Sequence, residues 1–123
     1  MVARVLRVAV ASTDGSRVDQ HLGRAEQFYI FETSADGSTL LGQRRLEPGA
    51  ARGGHDPARM AGLLAQVEDC TAVVALEAGP AFRDLLESRG IRVLTSDWTI
   101  EAVLHRIAHS YLVRNNRPRE LQP

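Results

Sequence analysis

No lysine occurs among the 123 residues, and all fifteen Lys-plus-Arg positions are arginine. That excludes lysine Schiff-base chemistry and the phosphate-binding lysine of a P-loop, while guanidinium forks suited to anionic oxygen or sulfur remain plentiful. Cysteine is nearly as scarce, with Cys70 alone. One thiol can neither close an internal disulfide nor supply the four thiolates of a self-contained iron–sulfur site, and its isolation points to a reducing compartment. Neither sign of charge is in excess, since fifteen acidic residues balance fifteen arginines. The basic surplus that drives non-specific nucleic-acid binding is therefore missing. Apolar runs stop at about six residues, far short of the roughly 20 that a membrane span requires. The N-terminus, MVARVLRVAVAS, lacks a signal-peptide core of useful length. The expectation is a cytoplasmic protein with no nucleic-acid and no membrane partner. A 44% apolar and 24% charged composition at this length suits a single domain. Residues 1–113 are read as that domain and 114–123 as a polar C-terminal tail.

The spacing of apolar and turn-forming residues predicts the elements. Val5 to Ala11 is β-branched and runs into the turn-rich Ser12-Thr13-Asp14-Gly15-Ser16, a strand and its exit loop. Gln27 to Thr33 and Thr39 to Leu46 flank Ala35-Asp36-Gly37-Ser38 and read as a hairpin. Glu47 to Gly54 is too rich in glycine and small residues for regular structure, and Asp56-Pro57 offers an N-cap followed by an N1 proline. In the helix that follows, Met60, Leu63, Leu64 and Val67 form one apolar stripe. Thr71 to Leu76 is a continuous apolar run of strand length, suited to burial on both faces. Gly79-Pro80 opens a second helix with Phe82, Leu85 and Leu86 on one side, ending at Gly90. Ile91 to Leu94 is a fifth strand, and Ser96-Asp97 is expected to cap a third helix carrying Ile100, Val103, Leu104, Ile107 and Tyr111. The order β-β-β-α-β-α-β-α argues an α/β fold, a mixed sheet of about five strands flanked by three helices in three layers, like the ribonuclease-H-like fold. Nucleases of that fold begin their carboxylate set within the first strand, which here reads VLRVAVA. Nuclease activity is excluded, and no nucleophile signature for covalent catalysis is visible.

Four histidines and the cysteine are the residues that could hold a ligand. His21 stands in a loop beside Gly23, which lets backbone approach a ligand, and Arg24, which adds positive charge. It suits a soft-metal or anion site, or is a surface histidine in a connection. His55 follows Arg52-Gly53-Gly54 and precedes a helix start, where free amides, the positive end of the helix dipole and an imidazole converge. The alternative is a loop residue whose glycine neighbours only ease a turn. Cys70, between a helix and a buried strand, reads first as core packing and second as a metal ligand. His105 and His109 have the i, i+4 spacing that chelates metal on a helix, yet lie off the apolar stripe and read as a solvated face near the helix C-terminus.

Taken together, VAVASTDGSRVDQHLGRAEQFYIFE, GGH before a helix, DCTAVVALEAGPAFRDLLESRGIRV and TIEAVL resemble the dinitrogenase iron–molybdenum cofactor biosynthesis family. That family includes the stand-alone NifX and NifY proteins and the C-terminal domain of NifB, and the resemblance covers roughly residues 5 to 107. Its His-Phe-Gly-x-Ala pattern falls on His21, Leu22, Gly23, Arg24 and Ala25, with Leu22 in place of Phe. Its loop histidine falls on His55 and its Asp-Cys pair on Asp69 and Cys70. Its Gly-Pro-Gly-Ala-like turn becomes Gly79-Pro80-Ala81-Phe82, without the second glycine.

The resemblance implies a ribonuclease-H-like domain that carries an iron–sulfur cluster, the FeMo-cofactor or its precursor, between nitrogenase cofactor assembly proteins without catalysing a reaction. A preassembled cluster brings its own sulfides, so one or two protein ligands and a cationic rim suffice to hold it transiently. His21, His55 and Cys70 are the expected metal ligands. Gly23, Arg24, Arg52 and Gly54 complete the expected cofactor-binding set, with Arg59 and the helix amides near Asp56 as further positive charge. A monomer or weak homodimer is expected. The alternative is a cluster-free regulatory or interaction domain of an assembly complex.

Overall fold

A computed structural model describes residues 5–46 and 57–112, the last two by backbone alone. Arg52, Gly54, His55, the predicted cap Asp56 and the tail 114–123 lie outside the described residues. Five strands form one sheet: β1 (Leu6–Ala11), β2 (Gln27–Ser34), β3 (Gly37–Arg45), β4 (Ala72–Ala75) and β5 (Arg92–Thr95). Their spatial order is β3-β2-β1-β4-β5. β2 is antiparallel to both neighbours, whereas β1, β4 and β5 run parallel. Three helices, α1 (Pro57–Val67), α2 (Pro80–Ser88) and α3 (Ile100–Ile107), occupy the positions expected from the apolar periodicity.

Alternation along β1 and β4 sorts the core into two halves. Ala9, Ala11, Val73 and Ala75 face Leu63 and Val67 of α1 and Phe82 and Leu86 of α2. Val8, Val10, Ala72 and Val74 face Ile100, Val103, Leu104 and Ile107 of α3. With helices on both faces, all four β4 residues are buried, which is why that strand reads as an unbroken apolar run. The result is a mixed five-stranded α/β sheet with a helical layer on each side.

One boundary differs from the sequence expectation. The cap of α3 is Thr99, whose Oγ1 accepts from the Ala102 amide at 3.2 Å, and not Ser96-Asp97. Sheet pairing continues past β5, with the Ser96 amide donating to the Ala75 carbonyl, and Ser96 Oγ accepts from the Trp98 amide instead. The chain cannot turn helical until it leaves the sheet, so the cap falls three residues later.

The amino-terminal side of the sheet is tied by ion pairs. Asp69, in the turn after α1, accepts from Arg44 at 2.7 and 3.0 Å and from Arg7 at 2.9 Å, while Arg7 also pairs with Glu32 at 2.8 Å. The Arg44 and Arg7 guanidinium groups hold the Asp69 carboxyl well below the usual carboxylate range. A depressed folded-state value means that the pairing stabilises the protein above about pH 4, the ordinary aspartate value, and is lost as pH falls through the folded value. Because these side chains are partly exposed, Asp69→Asn is expected to lose only about 1 kcal/mol at neutral pH. Its acid-unfolding profile below about pH 4 should be shallower than that of the parent. Urea melts across pH 2–7 check both; an unchanged acid limb contradicts the assignment.

Candidate functional site

β1 exits into a loop held by its own hydrogen bonds. Ser12 Oγ, fully buried, donates to the Arg17 carbonyl at 2.6 Å and accepts from the Gly15 amide at 3.0 Å. Asp14 accepts from the Ser16 amide, Asp19 accepts from the amide and hydroxyl of Thr13, and Gln27 Nε2 donates to the Ser12 and Thr13 carbonyls. Gly15 holds φ +77°, and a Cβ there would lie 2.7 Å from the Tyr29 ring. Gly15→Ala is therefore expected to destabilise by about 1–3 kcal/mol in urea unfolding, from backbone strain and displacement of the ring. A loss within 0.5 kcal/mol, taken as about the scatter of neutral surface changes, would count against this packing.

From there residues 17–22 cross the carboxyl ends of the parallel strands as a strap. The Val18 amide donates to the Trp98 carbonyl at 3.0 Å, the Leu76 amide to the Gln20 carbonyl at 2.9 Å, and the Leu22 amide to the Glu77 carbonyl at 2.8 Å. His21 pairs in register with Glu77 just beyond β4 and stands at the entrance of a 3-10 turn, Leu22–Arg24. The turn points two ways. Leu22 is fully buried, consistent with an apolar anchor at the position where the resembled pattern has Phe, while His21 and Arg24 are exposed. His21 Nε2 lies 3.1 Å from Glu77 Oε1. Arg24 makes no ion pair among the described residues. A Cβ on Gly23 would meet the Phe82 ring at 3.4 Å, an ordinary contact, so Gly23 packs against the start of α2 and is not required there by its backbone angles.

Arg59 corrects the sequence expectation of a rim cation. It is buried in the first turn of α1, donating from Nε to the Gly23 carbonyl at 3.0 Å and from an Nη to the Ala25 carbonyl at 2.7 Å. Burial lowers its pKa from the ordinary arginine value. Its charge holds the 3-10 turn in place and is not offered to a ligand. The signal was its spacing: Arg59 precedes Leu63 and Val67 by four and eight residues and so shares their buried face.

Cys70 does not join His21. It sits before the amino end of β4, whereas Glu77 and its neighbour His21 lie past the carboxyl end, about 20 Å away along an extended chain. It is also buried, 3.7 Å from Asp69 Oδ1, and its thiol is pushed up to about 12 by burial and by the adjacent carboxylate. A thiolate ligand is disfavoured on both grounds, leaving the core-packing reading. Among the described residues no group of three His, Cys, Asp or Glu side chains could hold a metal ion. Glu77, which the sequence reading overlooked, becomes visible only through strand pairing.

These elements define a three-layer α/β domain with an exposed histidine and an exposed arginine presented at the carboxyl edge of its sheet. The chain belongs to the family described as dinitrogenase iron-molybdenum cofactor, which matches residues 4–110. It is 30% identical over 120 residues to the protein NifX of Klebsiella pneumoniae, covering 95% of this chain and 74% of NifX. It is 33% identical over 87 residues to the FeMo cofactor biosynthesis protein NifB of Sinorhizobium fredii, covering 71% of this chain but 18% of NifB. The chain thus spans about a fifth of the length of such NifB relatives. Two solved structures share the fold: PH0822, with a TM-score of 0.59 at 21% identity over 85% of this chain and 92% of that one, and a dinitrogenase candidate from Methanocaldococcus jannaschii, at 0.58 and 7% over 89% and 92%. None of the described helices is long and apolar enough to cross a membrane.

Proposed function

We propose that this chain is a non-catalytic carrier of an iron–sulfur metallocluster, the FeMo-cofactor or its precursor, which it receives from and passes to nitrogenase cofactor assembly proteins in the cytoplasm. The observation that carries the reading is the exposed His21 beside the exposed Arg24, on a turn anchored from below by Leu22 and Arg59. Such a site gives one imidazole to a metal and a positive charge to an anionic cluster without reorganising the fold. His55 is the second ligand in this reading. It precedes Pro57 by two residues, and Arg59, in the same first turn of α1, bonds the carbonyls of Gly23 and Ala25. Arg52 and Gly54 complete the rim. Sparse ligation matches cargo that must be handed on. The domain is residues 1–113, with the strand order of a ribonuclease-H-like fold, acting as a monomer or weak homodimer.

Anaerobic titration of the metal-free protein with isolated cluster precursor tests this: binding of one cluster per chain is expected, and no binding overturns it. A second reading, a cluster-free interaction domain of an assembly complex, draws on the His21 ring already being engaged by Glu77. Co-purification with an assembly protein, in colourless and iron-free form under anaerobic expression, would favour that reading.

A further inference from the structure

We propose that His105 and His109 form a binding site for one borderline divalent transition-metal ion on the outer side of α3, independent of the cluster-carrying reading. The two rings stack at 14° between planes with centroids 6.3 Å apart. Two imidazoles sharing one ion through bonds of about 2.0–2.1 Å keep their centroids roughly 5–6 Å apart, so small side-chain rotations close this pair on a metal. Both side chains are exposed, and solvent completes the coordination shell, since no third donor side chain joins them among the described residues.

The backbone is an independent observation. α3 does not simply end at Ile107 but widens into a π turn, Ala108–Leu112, and His109 lies inside it. Such turns are rare and frequent at functional sites. This one begins between the two histidines and so sets how their rings face each other. The surroundings favour a cation. Asp36, from the β2–β3 turn, and Glu101, one helical turn before His105, line the same groove as both histidines, so negative potential comes from both walls. Arg106, the neighbouring cation on α3, is held over the Trp98 ring at 5.2 Å. Imidazole donors select zinc, copper or nickel over magnesium and calcium.

Zinc is the probe. Calorimetric titration of the full chain with zinc chloride is expected to show one ion per chain. Either His105→Asn or His109→Asn should weaken binding at least about tenfold, and the double substitution should abolish it, with unchanged circular dichroism. Ring nitrogen resonances of His105 and His109 should move on zinc addition, and magnesium should give no binding heat. A parent protein that binds no zinc overturns the proposal. So does zinc binding that survives the double substitution or disappears only in His21→Ala.

Discussion

Arg59→Met is expected to lower the free energy of unfolding by about 3 kcal/mol, because two carbonyls lose charged donors while a similar side-chain volume is kept. The Gly23 and Ala25 carbonyls lose the donors that Arg59 supplies when methionine takes its place, and its burial limits access by water. For a domain of this size the drop corresponds to a fall in Tm of roughly 10–20 °C. Differential scanning calorimetry or urea unfolding measures it, and a loss below 1 kcal/mol, about the worth of a single neutral hydrogen bond, would refute the role assigned to Arg59. The 3-10 turn should also loosen. Amide exchange of Leu22 to Ala25 should therefore accelerate more than that of β4, a local effect distinct from general destabilisation.

His21→Ala is expected to do the reverse, leaving stability within about 0.5 kcal/mol because the side chain is exposed and its partner Glu77 is still more so. Cluster affinity should fall by about 10–100-fold, the scale on which losing a ligand or its close support acts on metal binding. Anaerobic titration of parent and variant with the same cluster precursor reads this directly. Equal affinity would remove His21 from the site while leaving the family membership intact. His21→Ala/His55→Ala should lose more than either single change, since two imidazoles on one cluster act together.

The sheet was legible in the sequence because its strands carry patterns that only certain surroundings satisfy. The unbroken run around Val73 and Val74 requires cover on both faces, and the fold supplies α1 and α2 on one face and α3 on the other. Hairpin and crossover order followed from turn chemistry and chain length. What misled was charge. Of the fifteen arginines, Arg7 and Arg44 are committed to Asp69, and Arg59 to backbone carbonyls, so a count of cations overstates what is offered to an anion. The misplacement of the α3 cap has a similar origin: Ser96-Asp97 is a good local signal, but the long-range bond from Ser96 to Ala75 holds that stretch in the sheet.

The sequence by itself determined the α/β class, the order of elements and the loop that presents His21, since periodicity and turn residues act over a few neighbours. It also determined the family, through motifs in a fixed order. Only the tertiary structure decided that Cys70 and His21 lie at opposite ends of β4, that Glu77 meets His21, and that Arg59 is buried beneath the 3-10 turn, bonded to its carbonyls. Those outcomes depend on strand register and on which buried carbonyls need donors. Both are set by contacts between residues far apart in the chain, whose pairing no local pattern encodes.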